Sequence, residues 1–200
     1  MIDRAKSWIL VPRALVMARV LAAPALLGAA FLGAAPSVLV GLVSLAFVSD
    51  VFDGIIARRL GVATEALRRA DTLADTLFYL AAVGALFVRA PAVVYDEQSG
   101  ILILVALELV RMGVERRKFG RMAAYHLWSA KAWGIALFLG VSEAFLKGRP
   151  GPFFLAAILV GIVSDLEGLA VTFTLSRAHH DVPSLIHARR IAAADATPST

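Results

Sequence analysis

Six apolar runs, at roughly 14-33, 36-57, 70-89, 99-115, 123-146 and 152-175, occupy most of the chain. Each comes close to, or exceeds, the roughly 20 apolar residues a helix needs to cross a bilayer. Turn-forming residues separate several of them: GAAPS precedes the second run, RAPAVVYDEQSG the fourth and KGRPGP the sixth. The pattern predicts an all-α, polytopic membrane protein with six transmembrane helices in one bundle over residues 1-176, followed by a basic tail over 177-200. There is no internal repeat and no sign of a second domain. The closing IAAADATPST is small and polar, lacks periodicity and is expected to fray into solvent.

Composition agrees with the pattern. The 200 residues are 60% hydrophobic with a mean hydropathy of +0.79, above the roughly 45 to 50% apolar share of soluble domains. The opening MIDRAKSWILVPR lacks the short apolar core and small-residue cleavage site of a signal peptide, so no cleavage is expected. The absence of cysteine excludes disulfides, thiolate metal sites and a cysteine nucleophile.

The placement of positive charge supplies a topology. Arg4, Lys6, Arg13, Arg58, Arg59, Arg68, Arg69, Arg111, Arg116, Arg117, Lys118, Arg121, Arg177, Arg189 and Arg190 fall on one side of the six-span arrangement, and only Arg89, Lys147 and Arg149 on the other. Cytoplasmic loops are the ones enriched in Lys and Arg. Both termini and the loops around 58-70 and 116-122 are therefore expected in the cytoplasm, with the protein in the cytoplasmic (inner) membrane.

Between the second and third runs the chain reads SDVFDGIIARRLGVATEALRRADTLADTL, from Ser49 to Leu77. Asp50 and Asp53 close the second helix, Asp71 and Asp75 open the third, and spacings of three and four put each pair on one helix face. Four carboxylates can then converge at one depth, where an unpaired charge costs roughly 2.5 to 3.5 kcal/mol by the mildest scale. Their repulsion would force protonation unless a cation intervened; a divalent metal is the economical answer, since an all-carboxylate set suits Mg²⁺ or Mn²⁺, with enough ligands for two ions that clamp a phosphoryl group. Pairing with Arg58, Arg68 and Arg69 at a solvated helix end accounts for one such aspartate more easily than for all four. Gly54 and Ala57 form a strip of small side chains suited to helix packing or to admitting a ligand, and Arg58 ends it with a guanidinium fit for phosphate oxygens. Arg19, Glu108, Arg111, His126 and Lys131 fall in the same cytoplasmic half.

The pattern D50-x-x-D53-G54-x-x-A57-R58, eight residues, Leu67, then D71-x-x-x-D75 resembles the signature of the CDP-alcohol phosphatidyltransferase family, with seven of its eight fixed positions present. The family commonly has glycine where Leu67 stands. It also often opens its first helix with Pro-Asn-x-Leu-Thr-x-x-Arg, where this chain reads P12-R13-A14-L15-V16-M17-A18-R19. The resemblance, over about residues 10 to 176, implies attack of an acceptor hydroxyl on a CDP-linked lipid, usually CDP-diacylglycerol, with release of CMP. It further implies two divalent ions on Asp50, Asp53, Asp71 and Asp75, with Asp75 also the general base, nucleotide and pyrophosphate contacts at Gly54, Ala57 and Arg58, and a homodimer. Membrane lipids and a small alcohol are the expected partners, and nucleic acid is not.

For the acceptor, Arg111 and Lys131 are candidates to hold a phosphate, which points to glycerol 3-phosphate; inositol phosphate or an unphosphorylated alcohol are the alternatives. Lys131 lies two turns into the fifth run and is expected to need a carboxylate or phosphate partner. The basic ERRKFGR, Glu115 to Arg121, is first a topology signal and an attraction to anionic lipid. Asp165 and Glu167 are expected to pair with Lys131 or Arg111, His179, His180 and His187 to be polar surface, and Trp8, Trp128 and Trp133 to anchor or pack. A divalent-cation transporter and a family member without catalysis are the rival functions; release of CMP separates the enzyme from both.

Overall fold

The computed structural model describes residues 2-60, 64-121, 125-179 and 181-196, without the side chains of residues 2-10, 57, 58, 65, 66, 68, 69, 72 and 196. Trp8 and His180, singled out in the sequence, are thus outside the described parts. The described residues are helical, with no strand among them: α1 (Ile2–Phe31), α2 (Pro36–Arg59), α3 (Glu65–Arg89), α4 (Pro91–Asp96), α5 (Gln98–Phe119), α6 (Trp128–Lys147), α7 (Pro152–Thr174) and α8 (Leu185–Ala196).

Each of the six apolar runs gives a long helix. Four contain a segment long and apolar enough to cross a membrane: Val11–Phe31, Pro36–Ile56, Trp128–Lys147 and Pro152–Thr174. In α3 and α5 the charges Asp71 and Asp75, and Glu108, Arg111 and Glu115, interrupt the apolar sequence. The chain divides into two compact units, residues 1-95 with 141-150, and residues 96-140 with 151-200.

In the first unit α1 packs against both α2 and α3. The contact face repeats with helical period: Val16, Arg19, Ala23, Leu26 and Ala30 are buried on α1, and Leu39, Val43, Ala46, Ser49 and Asp53 on α2. On α3 the corresponding residues are Ala74, Phe78, Ala81 and Ala85. Half of these side chains are alanine or serine, which lets helix backbones approach closely where lipid offers no hydrophobic drive for association. Thr64 caps α3, its Oγ1 accepting from the Leu67 N–H at 3.2 Å, so the helix begins five residues before the apolar run and carries Asp71 and Asp75 in its second and third turns. The stretch before the fourth run, read as a turn, folds into the short α4.

In the second unit α5 packs on α7, and α7 on α8. Gly120 ends α5 in the left-handed conformation, φ 71°, which a residue without Cβ adopts at little cost. At the far end of α7 a cluster of Tyr125, Leu127, Val171, Leu175, Val182 and Ala188 seats α8, with Leu185 and Ile191 packed against it. Ile191–Ala196, expected to fray, are the last turns of that helix. Leu21, Phe31, Leu32, Leu80, Leu102, Leu109, Leu159 and Phe173 are exposed, whereas Arg19, Asp53, Glu115 and Asp165 are buried. Apolar surface around a charged interior is the arrangement a lipid environment requires.

Candidate functional site

The first unit brings the four predicted aspartates around one side chain that the sequence had placed only in their general neighbourhood. Arg19, 2% exposed, projects from the contact face of α1. Its Nη2 donates to Asp53 and its Nη1 to Asp75, Nη1 also donates to Asp71 Oδ1 at 2.9 Å, and Asp50 Oδ1 lies 3.2 Å from Nη1. Arg19 is about 12 Å along α1 from Val11, and Asp53 about 4.5 Å from Ile56 on α2, taking 1.5 Å of rise per residue. The guanidinium thus reaches from a deeper position towards the helix ends that carry the acids. An arginine on the small-residue face of a spanning helix must find carboxylates, and that face pattern was the signal for this pairing.

Oxygens of Asp50, Asp53 and Asp71 lie within 4.8 Å of one another, and Asp75 joins them through Arg19. One guanidinium thus serves four carboxylates. Hard oxygen donors in this number fit Mg²⁺ or Mn²⁺. Asp53 is buried, Asp50 is exposed and the other two are intermediate, so the set opens on one side. Gly54 directly follows Asp53 on α2; Ala57 and Arg58 lie on the same helix, with side chains outside the described residues. Leu67, at the position where glycine is common, sits in the first turn of α3 and is partly buried.

Arg111 and Lys131 lie in the second unit and have different partners. Arg111 is held by Glu108 at 2.6 Å, by Glu115 at 2.8 Å and by Asp165 at 3.2 Å. It passes across Gly168, where a Cβ would stand 2.8 Å from the Arg111 Cδ. Lys131 is exposed, with its ammonium 4.2 Å from the centre of the Trp128 ring. The expectation that it lies two turns into a helix fails because α6 starts only at Trp128, which leaves Lys131 in the first turn and near solvent. His126, also expected within that helix, precedes it at φ 56° with Nε2 3.7 Å from Asp181.

Asp165 meets Arg111, one of the two partners expected for it, but Glu167 accepts instead from the Ser129 hydroxyl at 2.5 Å and the Leu185 N–H at 3.1 Å, tying α7 to α6 and α8. Glu108, Arg111, Tyr125, Trp133 and Asp165 line a cavity of about 110 Å³. Of the three carboxylates around the guanidinium, Glu108 and Asp165 line this cavity beside Arg111, and Glu115 holds Arg111 from outside the lining. His179 approaches Asp195 at 3.5 Å, and His187 Nδ1 shares a hydrogen bond with Ser184; neither belongs to a candidate metal group among the described residues.

Comparison with curated proteins and with solved structures gave no match. The family model for CDP-alcohol phosphatidyltransferase matches residues 9–175, which include Arg19 and all four aspartates. The chain belongs to the CDP-alcohol phosphatidyltransferase family.

Proposed function

We propose that the protein transfers a phosphatidyl group from CDP-diacylglycerol to the hydroxyl of a small unphosphorylated alcohol, releasing CMP, with Asp50, Asp53, Asp71 and Asp75 holding two Mg²⁺ or Mn²⁺ ions. The observation that carries this reading is the convergence of four carboxylates, three of them with oxygens within 4.8 Å of one another, at the adjoining ends of α2 and α3. When bound, the metals neutralise the pyrophosphate and polarise the phosphorus under attack. The protein's own part is proton transfer and positioning. Asp75, the last carboxylate of the set, takes the proton from the acceptor hydroxyl as its oxygen bonds to phosphorus; the bond to CMP breaks and its electron pair leaves on the CMP phosphate. Gly54, Ala57 and Arg58 face the nucleotide and pyrophosphate in this reading, and no covalent intermediate is required.

The acceptor follows from Arg111. Glycerol 3-phosphate and inositol phosphate need unsatisfied positive charge, and the Arg111 guanidinium already has three carboxylate partners while Lys131 covers an indole ring. An uncharged or amine-bearing alcohol suits such surroundings better. The asymmetric distribution of Lys and Arg supports six spans with both termini and the aspartates on the cytoplasmic side.

The test uses purified protein with CDP-diacylglycerol, Mn²⁺ and a panel of glycerol, an amino alcohol, glycerol 3-phosphate and inositol phosphate. CMP release is expected with the first two, absent without metal, and reduced at least about 10²-fold in Asp75→Asn, the lower end of what a general base contributes. Preference for a phosphorylated acceptor overturns the acceptor reading; no CMP with any alcohol overturns the reaction.

A further inference from the structure

We propose that Arg19 is a built-in competitor for the divalent cations: its guanidinium occupies the oxygens of the four aspartates, keeps them together, and must withdraw as metal binds. The inference rests on reading those aspartates as the metal site. Arg19 is almost fully buried, and its charged partners among the described residues are Asp50, Asp53, Asp71 and Asp75 alone.

The seat is incomplete. Nη1 has two N–H groups for three carboxylates, and the buried Nε has no acceptor among the described residues. A guanidinium so placed moderates the repulsion among the acids without saturating their lone pairs. Divalent cations require the same oxygens at about 2.0 to 2.1 Å for Mg²⁺, and a guanidinium at hydrogen-bond distance from those oxygens would face the incoming charge directly. Metal affinity is therefore set below what four carboxylates alone would give. The folded arrangement, in turn, depends less on metal than an unpaired acidic cluster would.

The experiment compares wild type, Arg19→Met, Arg19→Lys and Asp53→Ala in detergent at pH 8, by Mn²⁺ titration calorimetry and by thermal unfolding with and without Mn²⁺. Arg19→Met is expected to bind Mn²⁺ about tenfold tighter or more, a change of about 1.4 kcal/mol, to unfold at a lower temperature without metal, and to show a larger rise in Tm with it. Arg19→Lys, with a point charge in place of a planar fork, is expected to lie between. Should Arg19→Met not fold, Arg19→Lys and the wild-type side chain decide: the Arg19 Nε–H resonance, assigned by its loss in Arg19→Lys, is expected to shift as Mg²⁺ saturates the protein. Variants that bind Mn²⁺ no more tightly than wild type, or an Arg19 resonance unmoved by saturating Mg²⁺, overturn the proposal. If wild type binds Mn²⁺ and Asp53→Ala weakens it, that failure leaves the metal site intact; if wild type binds none, both readings fall.

Discussion

Arg19 and Lys131 are both cations in apolar sequence, and they are accommodated in opposite ways. Arg19 is planar, carries five donors and reaches four carboxylates from the interior of the packing of α1 with α2 and α3. Lys131 stands one turn from a helix start, where a compact ammonium keeps its water and lies over the Trp128 ring. The sequence made the second case look like the first, because the fifth apolar run opens at 123 and nothing in the composition of the residues before Trp128 marks them as non-helical. Lys131→Ala is accordingly expected to change the acceptor KM by less than about twofold, roughly 0.4 kcal/mol. Steady-state kinetics with each alcohol checks this. A tenfold rise confined to a phosphorylated acceptor would return Lys131 to the acceptor site.

At the scale of elements, the facing aspartate pairs were legible because three- and four-residue spacings leave little freedom about which face a side chain takes. Glu115 was not. It opens the basic stretch ERRKFGR and reads as part of a solvated loop, yet α5 continues to Phe119 and puts Glu115, 0% exposed, one turn beyond Arg111. The glycines of α7 were silent for a similar reason, since small residues in an apolar helix mark close packing without naming the partner. Gly161 lies against Trp133 and Leu104, and Gly168 against Arg111. Arg111 is tied to three carboxylates and cannot step aside cheaply. Gly168→Ala is therefore expected to destabilise the protein by about 1 to 3 kcal/mol, the usual cost of overpacking. Gly113→Ala on α5, where a Cβ meets nothing within 4 Å, serves as control. Thermal unfolding of both variants in one detergent decides the point.

For the whole molecule, hydropathy identified six long helices, but Asp71, Asp75, Glu108, Arg111 and Glu115 make the helices that bear them less apolar. That is why α3 and α5 fall outside the four clear spans. Topology is open to a direct measurement, because the chain has no cysteine of its own. A cysteine in place of the exposed Ser99 is expected to react with an impermeant maleimide from outside the cell, and labelling from the cytoplasmic side alone would refute the six-span orientation. The tail was the least legible segment: four of the six residues of Ile191–Ala196 are alanine, and Ile191 meets a seat built by residues far away in sequence, Tyr125, Val171 and Leu175. The exposed pair of Arg177 with Asp195, at 2.9 Å, adds charge to that attachment, and exposed pairs contribute little, typically about 0 to 1 kcal/mol. α8 is thus held mainly by apolar contacts, which screening salt does not weaken and which do not depend on the peptide bonds near Arg177, so a protease nick there is expected to leave α8 in place as a bound fragment.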